Sequence, residues 1–173
     1  MHLPPSRAND EQFWLSFVAQ VEKIDLLATE IDLPSEWWNW RLLERAENLL
    51  AKVRHLAVPF DEHVMATVIV SALLICNQKS SAFKAALHER IIALRTLVSL
   101  KGRDYNAGDV SILEYWPQGA ANIIHEIRKR TLRLLSIGRT GQVPEFDDIG
   151  EIGLDIAAYS LFLLAYMETK VST

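Results

Sequence analysis

Apolar residues recur along this chain at the three- and four-residue spacing of helices, and turn-forming residues separate them into segments. Capping residues, prolines and glycines predict helices over about 10–30, 36–56, 60–77, 82–101, 120–137 and 149–170. Gly138 is predicted to end the fifth of these helices. No segment shows the pattern of a strand. The chain is therefore predicted to form an all-α bundle of five or six helices in a single domain.

Two of the predicted helices are apolar around most of their circumference. Their apolar runs, 64–76 and 156–167, are shorter than the roughly 20 residues that span a bilayer, so both helices are predicted to be buried. The first ten residues contain two prolines and polar residues where a signal peptide needs an apolar stretch, which predicts a cytoplasmic protein with no membrane association. The amount of apolar helix surface also predicts a homo-oligomer, a dimer or tetramer.

Composition limits the possible function classes. The chain has 173 residues, of which 50% are hydrophobic and 23% are charged, and this excludes wholesale disorder. Its net charge of −4 gives no sign of a nucleic-acid-binding surface, which would be more basic. Cys76 is the single cysteine, so the chain forms no internal disulfide and no cysteine zinc cluster. Its apolar neighbours predict an inert core thiol.

Carboxylates interrupt one side of the apolar helix predicted at 149–170. Asp148, Glu151 and Asp155 share this side, and such residues repel one another unless they are paired or bound to a hard cation such as Mg²⁺. Asp148 and Glu151 also have the spacing of a capping box at a helix start. Asp155 is too far along the helix to cap it. The alternative role for Asp155 is a salt bridge to a buried arginine.

The helix predicted at 120–137 offers partners for these acids. Arg128 falls within its predicted apolar arc and would need an anion, either a carboxylate of a neighbouring helix or a ligand phosphate. Glu126, Arg130 and Arg133 fall on the polar side. Glu126 and Arg130 are expected to form an exposed pair one helical turn apart.

The loop after the fourth predicted helix concentrates charge and an aromatic ring. Lysine and arginine side chains there could hold phosphates, and the tyrosine could stack on a base: the residues are Lys101, Arg103, Asp104 and Tyr105. A tryptophan cluster near the start of the second predicted helix suggests either core packing or an oligomer interface: Trp37, Trp38 and Trp40. The sequence contains no phosphate-binding loop, zinc-protease motif, nucleophile elbow or dinucleotide fingerprint.

Three short motifs in the second half of the chain resemble blocks of one protein family. They are Lys101-Gly102-Arg103-Asp104-Tyr105-Asn106, then Ile127-Arg128-Lys129-Arg130 with Arg133-Leu134, then Asp148-x-x-Glu151-x-x-x-Asp155-x-x-x-Tyr159. These blocks resemble the nucleotide modification associated domain 1 family, a largely phage-associated group similar to the all-α NTP pyrophosphatases of the MazG type. The resemblance covers about residues 88–167 and leaves 1–80 unassigned.

The resemblance implies a MazG-like fold and binding of a nucleotide, a deoxynucleoside phosphate in particular. It further implies Mg²⁺-dependent hydrolysis that releases a nucleoside monophosphate and pyrophosphate, with Glu151 and Asp155 as catalytic residues. The implied metal ligands are Glu126, Asp148, Glu151 and Asp155. The implied substrate-binding residues are Lys101, Arg103, Asp104, Tyr105, Arg128 and Arg133.

This sequence departs from the family pattern at several positions. Asn106 replaces a glycine, Lys129 an aspartate and Arg130 a lysine. The acidic pair of the last helix is one residue longer than the Glu-x-x-Asp of MazG-type enzymes. These departures keep a second hypothesis open, in which the chain is a non-enzymatic helical interaction module.

Overall fold

The computed structural model describes residues 5–30, 41–56, 60–75, 89, 91–96, 100, 111–142, 145 and 148–171. Its helices are α1 (Pro5–Glu30), α2 (Leu42–Arg54), α3 (Glu62–Ile75), a short 3-10 helix (Ile112–Tyr115), α4 (Ala120–Thr140) and α5 (Ile149–Val171). Residues 91–96, within the fourth predicted helix, are helical as well. No residue of this described part lies in a strand, so the all-α prediction is confirmed.

Short polar side chains fix where several helices begin. Asp61 precedes α3, and its Oδ1 accepts hydrogen bonds from the backbone N–H groups of His63 at 2.9 Å and Val64 at 3.2 Å. Ser111 precedes the 3-10 helix, and its hydroxyl accepts from the N–H of Leu113 at 3.2 Å. These bonds satisfy N–H groups that have no partner within the helix. The predicted starts of the first two helices, near residues 10 and 36, are wrong: α1 begins at Pro5, and Arg41 is extended before α2 begins at Leu42.

The core is built around α5, which packs against α1, α3 and α4. Its residues 156–158 and 160–165 are all buried, as are residues 65–75 of α3, so both apolar helices are buried as predicted. By length and composition alone, Ile149–Lys170 is long and apolar enough to cross a membrane, as buried core helices often are. In this fold, 61% of that apolar window is buried within the protein.

An aromatic cluster joins α1 to α5 and to the segment before α4. Phe162 of α5 lies at its centre, with ring centroids 5.0 Å from Phe17 and 5.4 Å from Trp116. Phe13 lies 5.6 Å from Trp116 and 6.0 Å from Phe162, between ring centroids. These spacings are typical of attractive aromatic pairs, and they hold the first helix against the last.

Two glycines near the end of α4 have different roles. The helix continues past Gly138, and the prediction that Gly138 ends it is wrong. It ends at Gly141, which has φ +65° and donates its N–H to the carbonyl of Ile137 at 2.9 Å. Gly138 instead lies where α2 crosses α4: an added Cβ would be 2.7 Å from the Cα of Leu43 and 2.9 Å from its backbone nitrogen.

Several predictions lie outside the described residues or stay untested. The tryptophans at 37, 38 and 40 and the cysteine at 76 belong to the part of the chain that is not described. A homo-oligomer and a cytoplasmic location remain predictions.

Candidate functional site

Three charged side chains meet between α4 and α5. Arg130 donates from Nη1 to Glu126 Oε2 at 2.6 Å and from Nε to Asp155 Oδ2 at 3.1 Å. Its guanidinium carbon also lies 4.3 Å from the ring centroid of Tyr159. The three charged side chains are between 22% and 32% exposed, so water screens the ion pairs only in part. We call Glu126, Arg130 and Asp155 the charge triad.

Helical spacing explains the geometry of the charge triad. Glu126 and Arg130 are four residues apart on α4, as are Asp155 and Tyr159 on α5. Residues at this spacing are neighbours on one helix face, so each helix presents a pair to the other. The planar guanidinium can bond two carboxylates and stack on an aromatic face simultaneously.

Within the charge triad, hydrogen bonds and nearby opposite charges favour the charged forms of Glu126 and Arg130. Burial opposes the charge of Glu126, but hydrogen bonds from Arg130 and Lys129 outweigh this effect and lower the pKa of the carboxyl group. Burial likewise opposes the charge of Arg130, and the bonds to Glu126 and Asp155 outweigh it and raise the pKa of the guanidinium. The ion pair between Glu126 and Arg130 is therefore maintained at neutral pH.

The arginine that faces α5 is Arg130, whereas the sequence pattern placed Arg128 within the apolar arc. Arg128 is exposed, so its predicted place in the apolar arc is wrong, and Arg130 is the arginine that reaches Asp155. The predicted arc included Leu132, which is 48% exposed. The buried face of α4 runs through Ile123, Ile127, Thr131 and Leu134, which lies beside Arg130 and away from Arg128. The predicted Glu126–Arg130 pair is present, but it is partly buried and has a third member.

The predicted metal ligands do not converge. Asp148 is exposed and its Oδ1 accepts the N–H of Gly150 at 2.9 Å, so it caps α5, which is the alternative given by its spacing. Glu151 is exposed on the first turn. Glu126 and Asp155 do approach each other, but Arg130 already bonds to both. Within the described ranges, no three His, Cys, Asp or Glu residues are placed to hold a metal ion. As arranged, these side chains do not fit a Mg²⁺ site.

The remaining predicted substrate-binding residues divide into two groups. Lys101, Arg103, Asp104 and Tyr105 lie outside the described residues. Arg133 lies on the outer face of α4, where it lines a cleft of about 900 Å³. We call this space the α4 cleft. Its lining residues are Lys129, Leu132, Arg133, Ser136, Ile137, Thr140, Gln142 and Glu145.

The polar residues of the α4 cleft follow one helix face. Lys129, Arg133, Ser136 and Thr140 are spaced by four, three and four residues, which aligns them along the helix. Lys129 Nζ lies 3.1 Å from Glu126 Oε1, so the cleft borders the charge triad. Sequence reasoning missed Lys129 as a cleft residue, although the spacing of these four polar residues was a usable signal.

Comparisons with protein-family models, with curated proteins and with solved structures give no match for this chain. The resemblance to the nucleotide modification associated domain 1 family therefore stays a prediction, carried by the short motifs alone.

The lowered pKa of Glu126 predicts a loss of stability in acid. The unfolded chain binds a proton at Glu126 more readily than the folded protein does, so this stabilisation is complete above the ordinary pKa of 4.5. It is lost as the pH falls from there through the lower folded value. Urea unfolding at pH 7 and at steps between about pH 5 and 3 measures this loss. Glu126→Gln should show a shallower decline than the parent, and equal declines would contradict the prediction.

Proposed function

We propose that this protein binds a nucleotide in the α4 cleft, with the phosphates held by Lys129 and Arg133. The alignment of two cationic side chains with two hydroxyl side chains on one face of the cleft supports this proposal. Ammonium and guanidinium groups form charge-assisted hydrogen bonds to phosphate oxygens, and the Ser136 hydroxyl adds a donor. A cleft of about 900 Å³ lies within the size range of small-molecule sites.

The apolar members of the α4 cleft suit the rest of a nucleotide. Leu132 is 48% exposed, and Ile137 lies further along the helix in the same lining. Apolar side chains beside a phosphate site can pack against a base or a sugar. Thr140 is held in place because its hydroxyl donates to the carbonyl of Ser136 at 2.9 Å and accepts from the N–H of Gln142 at 3.3 Å. This end of the cleft is therefore ordered by its own hydrogen bonds.

The proposal concerns binding, and Mg²⁺-dependent hydrolysis is a separate hypothesis. Arg130 bonds both carboxylates that approach each other at the charge triad, so no reaction step through a metal follows from their arrangement. In this setting the charge triad has a positioning role: Glu126 holds Lys129 at the edge of the cleft. Assaying nucleoside monophosphate and pyrophosphate in the binding mixture tests hydrolysis directly.

Calorimetric titration with dATP and ATP, in EDTA and in Mg²⁺, tests the binding. We expect one site per chain, and affinity that falls as salt rises because the contacts are ionic. Lys129→Gln and Arg133→Gln should each weaken binding by about ten-fold or more, since each removes a charge-assisted hydrogen bond. Arg139→Gln is the matched control: it removes an exposed cation from the same helix outside the cleft lining, and binding should be unchanged.

Two outcomes would overturn the proposal. Absence of binding at millimolar dATP and ATP would do so and would favour the interaction-module hypothesis. Equal weakening by Arg139→Gln and Arg133→Gln would show that only general charge attraction is measured.

A further inference from the structure

A second concave region lies between α1, the start of α3 and the end of α5. It is a groove of about 330 Å³, separate from the α4 cleft, and its lining residues are Gln20, Lys23, Phe60, Glu62, Leu164, Met167 and Glu168. We call it the α1–α5 groove. Phe60, Leu164 and Met167 supply its apolar part. Two carboxylates and one ammonium group line the remainder, which leaves an excess of one negative charge.

Gln20 is the unusual member of the α1–α5 groove. Only 3% of the residue is exposed. Its Nε2 donates to Glu168 Oε2 at 2.9 Å, and because an ionised carboxylate only accepts, this bond fixes the orientation of the amide. The Oε1 atom is then buried with no hydrogen-bond partner among the described residues. A buried acceptor without a donor is costly, so a ligand that supplies a donor to Oε1 would offset that cost.

Glu168 supplies the charge beside this acceptor. Hydrogen bonds from the hydroxyl of Ser16 and from Gln20 lower the pKa of its carboxyl group, as does the charge of Lys23, although partial burial opposes the charge. Glu168 is therefore ionised at neutral pH. A ligand that fits must bring hydrogen-bond donors, a positive charge and a hydrocarbon portion.

We propose that the α1–α5 groove binds a primary amine with a short hydrocarbon chain. The ammonium group lies at Glu168 and donates one of its protons to Oε1 of Gln20 in the same lining. The hydrocarbon chain packs against Phe60, Leu164 and Met167. Glu62 adds a second negative charge at the rim, so the two carboxylates outnumber the single ammonium group of Lys23. This site does not depend on the proposed nucleotide site.

Calorimetry and thermal unfolding with n-hexylamine test the proposal on the full chain. Hexanol and hexanoate are matched probes, because they keep the hydrocarbon chain and remove or reverse the charge. We expect hexylamine to bind once per chain and to raise the melting temperature, with no measurable binding of hexanol or hexanoate at the same concentration. Glu168→Gln should weaken the affinity for hexylamine by about ten-fold or more, because it removes the ionic partner. Glu47→Gln, an exposed carboxylate on α2, should leave it unchanged.

Gln20→Leu provides a second test if Glu168→Gln does not fold. Leucine removes the buried acceptor and keeps the volume, so hexylamine affinity should fall while hexanol binding stays absent. The proposal is overturned if hexylamine does not bind the parent protein at ten-millimolar concentration, which would leave Oε1 satisfied by water. It is also overturned if hexanol binds as tightly as hexylamine, or if the folded variants keep the parent affinity.

Discussion

Replacing Arg130 with methionine is expected to destabilise the protein by about 2 kcal/mol. This lies between the 0–1 kcal/mol typical of exposed ion pairs and the 3–5 kcal/mol of fully buried ones, because the Arg130 side chain is 22% exposed. The change leaves Glu126 and Asp155 without their shared cation and also removes the contact with the ring of Tyr159. Methionine keeps the length and the helix propensity of arginine, so these losses dominate. Urea unfolding at pH 7 measures the effect.

Arg128→Met is the matched control for this prediction. It makes the same chemical change two residues earlier on the same helix, at an exposed position, and should alter stability by less than about 0.5 kcal/mol. The pair of variants separates a pairing of Asp155 with Arg128, one alternative that the sequence left open, from the pairing with Arg130 in the structure. A larger loss in Arg128→Met than in Arg130→Met would contradict the charge triad.

The double variant Asp155→Asn with Arg130→Met should lower the free energy of unfolding by less than the sum of the two single changes, because the two residues bond to each other.

Gly138→Ala is expected to destabilise the protein by about 2 kcal/mol through overpacking. Alanine is intrinsically better than glycine in a helix by about 1 kcal/mol, so the prediction opposes the local preference. The added Cβ would come within 2.7 Å of the Cα of Leu43, a distance that real Cβ contacts do not show. Backbone atoms cannot move aside as a side chain can, so α2 and α4 must separate. Thermal unfolding of the variant, compared with the parent, measures the loss.

Gly150→Ala tests whether the effect comes from the helix crossing. Gly150 lies in α5, and a Cβ there would meet only ordinary contacts with the side chain of Asp148, the nearest at 3.5 Å. This variant should be as stable as the parent or more stable, by up to about 1 kcal/mol. If both glycine variants lose stability equally, the close approach of α2 and α4 is not the cause.

Local sequence determined the features that depend on neighbouring residues. The start of α5 was predictable because Asp148 bonds to the N–H group of Gly150, two residues ahead in its own chain segment. The burial of α3 and most of α5 was also predictable, since helices that are apolar on nearly all sides are stable only inside a core. Together these two signals were sufficient for the all-α fold class.

Only the tertiary structure decided which residues meet across helices. Arg128 and Arg130 differ by about 160° around the axis of α4 if the helix is regular, and a shift in the assumed centre of the buried face is enough to exchange their roles. Glycine near a helix end suits both a cap and a close crossing, so sequence could not assign Gly138 and Gly141. For a similar reason, sequence could not show that Asp148 and Asp155 have separate partners. Asp148 accepts a hydrogen bond from the start of α5, whereas Asp155 accepts one from Arg130 of α4. Pairing between distant segments depends on how the helices are placed, and local spacing carries no information about that placement.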